Sequence, residues 1–196
     1  MSGSFTSTAG FTTLEFISNQ NTRISEAVSG KTQRIKVGGQ YWILTLKSPP
    51  MSKQNFMADY SFLIQQGGSY DSFTVVPPNI GSTQGTATDV STVTQTYGAG
   101  SLSVRANGAD GTLKKGDLIK FSNHNKVYML TADVDMDASS EDTIAFYPAL
   151  NVTVNNTTTI IYNDVPITVF IDSTQQKFST QTDGYYRYDI TLREEI

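Results

Sequence analysis

The chain has 196 residues, 38% of them apolar and 16% charged, with a formal net charge of −4 and no cysteine. That apolar content is enough to bury at least one core, so disorder is not expected, and the lack of cysteine excludes a disulfide framework or a thiolate metal site. The charge is uneven, with six Lys/Arg against five Asp/Glu through Gly98 and eight against thirteen from Ala99 onward, which argues against a broad basic face that grips phosphate.

Gly, Ser, Thr, Asn, Asp and Tyr are abundant and Leu/Ala/Glu/Lys-rich runs are missing, which predicts a mainly β protein. Residues 1 to about 12 are rich in Ser, Thr and Gly with scattered Phe, and read as an arm that is flexible or orders on a neighbour. This terminus has neither a basic leader nor an apolar stretch, and no eighteen apolar residues run together, so a soluble chain made in the cytosol, without membrane insertion, is expected. In QRIKVGGQYWILTL, Ile35 and Val37 alternate before Gly38-Gly39, and Trp42, Leu44 and Leu46 after it. That pattern predicts a hairpin turning at the two glycines. Tyr41 and Ile43 point to the opposite face from Trp42, so this strand is expected to be covered on both sides within the chain or half-covered by a partner chain.

The period then changes. In SPPMSKQNFMADYSFLIQQGG, Phe56, Tyr60 and Leu63 recur at helical spacing with Met57 and Ile64 beside them. Pro49-Pro50 blocks an earlier start, Ser52 can cap the first turn and Gly67-Gly68 can take a left-handed stop, so one amphipathic helix is predicted over about 52–66. Phe73–Pro78 reads as a strand closed by two prolines. Residues 79–100 read as a linker or a twisted edge strand. Beyond them SLSVRA, DLIKF, KVYMLTADV, TIAFYPAL, TIIYNDV, ITVFI and GYYRYDITLRE are short strands between turn residues, the last placing Tyr186, Tyr188, Ile190 and Leu192 on one face. Strands at this spacing predict a small antiparallel barrel or sandwich.

Residues suited to chemistry are scarce. His124, the single histidine, lies in the polar stretch SNHNKV and reads as a solvated turn residue. Asp133, Asp135 and Asp137 alternate like the start of a calcium loop, but Ala138 replaces the glycine and Ile144 the closing glutamate, so a solvated acidic turn is expected. No nucleophile elbow, phosphate loop or dinucleotide pattern is present; neither catalytic activity, nor a cofactor, nor a metal is expected. Arg23, Lys31, Arg34 and Lys36 form a short basic stretch, read as a solvated strand edge or an ion-pair surface toward an acidic neighbour.

The order of these segments carries a resemblance. TRISEAVSGKTQR, the GGQYWILTLKSPPM segment, the helix ending FLIQQGG and then SFTVVPP resemble the opening module of bacteriophage distal tail (baseplate hub) proteins. LKKGDLIKFSNHNKVYMLTADV, with FYPAL, DVPITVFI and GYYRYDITLREEI, is similar to the inserted barrel and closing strand of such proteins. The resemblance implies a tube-like β module over residues 1–78, completed by a closing strand at about 180–196, with a second small β-barrel inserted over 79–179. It further implies a structural virion protein at the tail tip, assembled in the host cytoplasm. Its copies would close into a six-fold ring that extends the tail-tube channel, with tail-tube, baseplate hub and fibre proteins as partners and DNA as passing cargo. Arg34, Lys36, Tyr41 and Ile43 are the residues expected to face neighbouring subunits. Two alternatives stand beside this reading. One is a tail-tube initiator. The other is a receptor- or carbohydrate-binding fibre module using Tyr128, Tyr185, Tyr186 or Tyr188 as sugar platforms.

Overall fold

A computed structural model describes residues 3–180 and 184–196. In chain order they form β1 (Ser4–Phe5), β2 (Thr13–Glu26), β3 (Thr32–Lys47), α1 (Lys53–Gln65), β4 (Phe73–Val75), β5 (Ser91–Val93), β6 (Ser103–Asn107), β7 (Gly111–Leu113), β8 (Leu118–Phe121), β9 (Val127–Leu130), β10 (Val134–Met136), β11 (Asp142–Tyr147), β12 (Thr159–Ile161), β13 (Ile167–Ile171), β14 (Phe178–Thr180) and β15 (Tyr186–Glu194). The protein is mainly β with one helix among the described residues. It divides into two units: a hairpin unit of Ser7–Asp71 and Phe170–Glu195, and a barrel unit of Ser72–Val169 with the residues up to Thr6 and Ile196.

The hairpin unit is an antiparallel sheet in the order β14, β15, β3, β2. Its register places Leu44 between Phe16 and Leu192, and Leu46 between Leu14 and Ile190. Because directly paired residues share a face, these side chains and Trp42 form one apolar surface, and Trp42, Leu44, Leu46, Tyr188 and Leu192 are buried. The stacked rings of Phe16 and Trp42, with centroids 4.5 Å apart, extend it toward the edge. α1 begins where predicted: Ser52 is extended and its hydroxyl accepts the Asn55 N–H at 3.5 Å. Gly67 and Gly68, at φ 62° and 72°, take the left-handed stop. Phe56 and Leu63 face the core, and the Phe56 ring lies 4.9 Å from Tyr186, 5.0 Å from Phe178 and 5.1 Å from Tyr60. Met57 and Ile64 flank that face and stay exposed; the third buried helical residue is a carboxylate, Asp59.

The predicted turn at Gly38-Gly39 is not a turn. Both glycines lie inside β3, and the chain reverses over residues 27–31, where the Ala27 N–H donates to Lys31 O at 3.0 Å and the Gly30 N–H to Ala27 O at 2.8 Å. At the glycines the pairing shifts from Gln20 with Gln40 to Thr22 with Lys36, a bulge that Gly38 accommodates at φ 133°. A glycine pair flanked by alternating residues is as consistent with a bulge in a continuous strand as with a two-residue turn.

In the barrel unit β1 runs parallel to β4, which pairs with β13. Phe5 is buried with its ring 6.0 Å from that of Phe73, so this part of the terminal arm is ordered. The remaining strands close an antiparallel barrel in the order β11, β6, β5, β12, β8, β9, with β7 and β10 forming a two-stranded ribbon. Its interior is built on Phe121, Tyr128 and Phe146, whose rings meet edge to face at 5.1–5.5 Å, surrounded by Val104, Leu130 and Ile144. β5 is paired on both sides, with β12 and β6, so residues 91–93 are neither linker nor edge strand. The preceding segment is held against β7 so closely that a Cβ on Gly85 would lie 1.8 Å from Thr112 O. β7 falls between SLSVRA and DLIKF, where no strand is predicted from the sequence.

Phe56 fills the space between the helix and the closing strand. Replacing it with Ala should therefore lower the unfolding free energy of the purified protein by about 3–5 kcal/mol, measured by urea titration; a loss below about 1 kcal/mol would contradict this packing.

Candidate assembly interface

The residues nearest to chemistry are used internally. His124 is half-buried and stacked on Phe121. Its Nδ1 lies 2.7 Å from Asn123 Oδ1 and its Nε2 2.8 Å from the Tyr128 hydroxyl, which also lies 2.8 Å from Asn151 Oδ1. Burial, reinforced by the charges of Lys120 and Lys126, lowers the His124 pKa to about 4, so the ring is neutral at pH 7 and is a structural group instead of a solvated one. Asp133 accepts the Lys115 N–H at 2.8 Å and the Lys114 ammonium at 3.3 Å, which hold its pKa below the usual carboxylate value. Asp137 accepts the Ser139 N–H at 2.8 Å, as turn carboxylates do. Among the described residues no group of three or more His, Cys, Asp or Glu is arranged to hold a metal, and no helix is long and apolar enough to cross a membrane. The proposed sugar platforms fare no better: Tyr128 and Tyr188 are 0% and 3% exposed, and Tyr186 is stacked on Phe56. Tyr185 alone of the four stands well out from the surface.

The β2–β3 hairpin has a different character. β3 pairs with β15 only from Ile43 to Lys47, so the distal part of the hairpin is a two-stranded ribbon whose two margins are open. Every residue from 21 to 39 is exposed. These include apolar side chains: Ile24, Ile35 and Val37 are 65%, 62% and 53% exposed, and Val28 stands free at the tip. A two-stranded hairpin is marginal in water, and a long open edge is a template for another chain.

The four residues expected to face a partner all lie on this hairpin, but on two faces. Arg34 pairs with Ile24 and Lys36 with Thr22, in the alternation that carries Trp42 and Leu44 nearer the sheet. Tyr41 and Ile43 belong to the opposite alternation, paired with Asn19 and Ile17, and Ile35 and Val37 continue it outward. The second face is thus mixed, with Ile17, Tyr41, Ile43, Ile35 and Val37 beside Asn19 and Arg23. Near its base the Arg193 guanidinium lies 4.0 Å over the Tyr41 ring, and Asn19 Nδ2 donates to the Tyr41 hydroxyl at 2.7 Å.

With this geometry in view, comparison with known proteins is informative. The family model "Distal tail protein pb9, B domain" matches residues 82–165, within the barrel unit. Over 194 residues the chain is 25% identical to distal tail protein pb9 of Escherichia phage T5, covering 95% of this chain and 93% of that protein. The resemblance to phage distal tail proteins holds. It supports a structural role in a phage tail and a place in the virion tail, in contact with other tail proteins.

For a chain similar to distal tail proteins, the residues that hold the hairpin in place matter as much as those it displays. Two of them escape sequence reasoning. Asp59, buried on α1, accepts the Ser7 hydroxyl at 2.6 Å, the Thr8 N–H at 3.0 Å, the Thr8 hydroxyl at 2.7 Å and the Tyr188 hydroxyl at 2.8 Å. One carboxylate so fastens residues 7–8 to the helix and the closing strand. Burial together with this neighbouring carboxylate raises the Tyr188 pKa well above the ordinary tyrosine range, which keeps the hydroxyl a donor. Glu194, also buried, accepts the Trp42 N–H at 3.0 Å at the root of the ribbon. Neither acid has a local sequence signal, because their partners are distant in the chain.

Two outcomes follow from these networks. Asp59→Ala leaves three side-chain hydroxyls and an amide without their acceptor; it should lower stability by about 2–3 kcal/mol and speed limited proteolysis near residues 7–12, where unchanged cleavage would contradict the strap. His124 has a folded-state pKa below its unfolded value, so its contribution is complete above about pH 6.5 and is lost as pH falls toward 4. With solvent screening at this half-exposed site, urea titrations at pH 7 and pH 4.5 should differ by about 1–2 kcal/mol more for the native chain than for His124→Gln.

Proposed function

We propose that the chain is a non-enzymatic structural protein of the phage tail tip whose copies close into a ring, six-fold by the resemblance. The ring extends the tail-tube channel and attaches baseplate or fibre proteins. In this reading residues 1–78 with the closing strand at about 180–196 are the tube-like module, and 79–179 are an inserted barrel that points toward those partners. Arg34, Lys36, Tyr41 and Ile43 face neighbouring subunits.

The observation that carries the proposal is the β2–β3 hairpin: two strands of 14 and 16 residues, with residues 21–39 exposed and both distal margins open. Closing copies into a ring covers every such margin at once, because the last copy pairs with the first. The net charge of −4 per copy favours a passage that DNA crosses without sticking, since like charges repel.

Native mass measurement of the purified protein, alone and mixed with tail-tube protein, tests the proposal. A species of six times the 21.4 kDa protomer is expected in at least one of the two samples. A strict monomer in both, absent from purified tail particles, would contradict it.

A further inference from the structure

The distal ribbon is exposed, apolar in part and strongly basic. Residues 21–39 carry Arg23, Lys31, Arg34 and Lys36 against Glu26 alone, a net charge of +3, while the rest of the chain has ten Lys/Arg against seventeen Asp/Glu, a net of −7. Arg23, Lys31 and Arg34 make no ion pair with any described residue. Two ribbons of this charge repel each other, which disfavours a two-fold contact of ribbon on ribbon. Ribbon on acidic surface is the complementary arrangement. It joins two different patches, and contacts of that kind generate rings.

The acidic surface is concentrated in one place. Residues 133–142 hold Asp133, Asp135, Asp137, Glu141 and Asp142 with no Lys or Arg among them. Asp133 is engaged by Lys114 and Lys115, and Glu141 lies 3.7 Å from Arg105. Asp135 and Asp137 are exposed and face no such cation among the described residues. Ile24, 65% exposed and paired with Arg34 on the same face, favours a protein over a phosphate backbone as the occupant, because a polyanion leaves that side chain in water.

We propose that the β2–β3 ribbon of one copy seats on the acidic β10–β11 turn of a second copy. Arg34 and Lys36 are set against Asp135 and Asp137, and Ile24, which pairs with Arg34 on the same face, is removed from water. This rests on the ring reading above and names the surface that receives the ribbon.

Charge exchange in the full-length chain tests it. The ribbon variant is Arg34→Glu with Lys36→Glu, the turn variant is Asp135→Lys with Asp137→Lys, and circular dichroism checks that each folds like the native chain. In native mass spectra each variant alone should need an at least tenfold higher concentration to assemble, because like charges then meet at every contact. An equal mixture should restore assembly as oligomers that contain both variants, since each reversed patch finds its opposite on the other chain. Native-like assembly of either variant alone, or a mixture that stays apart, overturns the ribbon-to-turn contact while leaving the ring intact. A native chain that never assembles overturns the ring reading and this contact with it.

Discussion

The governing constraint is that a β margin in water must find a mate. In the hairpin unit β15 supports β3 over only five residues, and beyond Gln40 the strands have only each other. Everything that would make such a ribbon comfortable as a free hairpin is missing: its tip is a simple chain reversal, its core-facing alternation ends at the bulge, and both of its faces meet solvent. Backbone pairing alone does not hold two strands together well in water. In the ring proposed above, length and exposure belong to the function.

The rest of the hairpin unit is arranged to hold the root of that ribbon firmly. Trp42, Leu44 and Leu46 are buried against the closing strand, Glu194 accepts the Trp42 amide, and Phe56 and Leu63 seal the face. Asp59 joins helix, closing strand and residues 7–8 through four hydrogen bonds. A buried carboxylate with this many donors is stable in its place but intolerant of losing them. Rigidity at the root and openness at the tip suit a part whose orientation is set within the protomer and whose contacts are completed outside it.

The sequence was legible where local chemistry decided the outcome. Pro49-Pro50, Ser52 and Gly67-Gly68 bracket α1 within about a residue, and the alternation in YRYDITL marks the closing strand because one face is apolar. It was ambiguous where one pattern has two physical solutions: Gly38-Gly39 suits a tight turn and a bulge equally, and only the partner strand decides between them. Tyr128, a sugar platform only in the alternative fibre reading, is hard to place from sequence because Val127 and Tyr128 are both buried, so the alternation that separates inside from outside is lost in that barrel strand. Asp59 was invisible because it sits at a helical core position normally filled by an apolar residue, and its donors lie 51, 52 and 129 positions away. As for the partner-facing set, Arg34 and Lys36 alternate away from Tyr41 and Ile43, a separation that appears once the bulge is placed and the register counted.

The central claim is that the open margins of the ribbon are covered by another chain in the working assembly. Amide hydrogen exchange over residues 21–39, compared between the isolated chain at low concentration and the same chain in assembled tails, tests it most directly. The account predicts fast exchange in the isolated chain and slowing by at least about a hundredfold in the tail, strongest along β2 and the distal part of β3. Equally fast exchange in both states would contradict it.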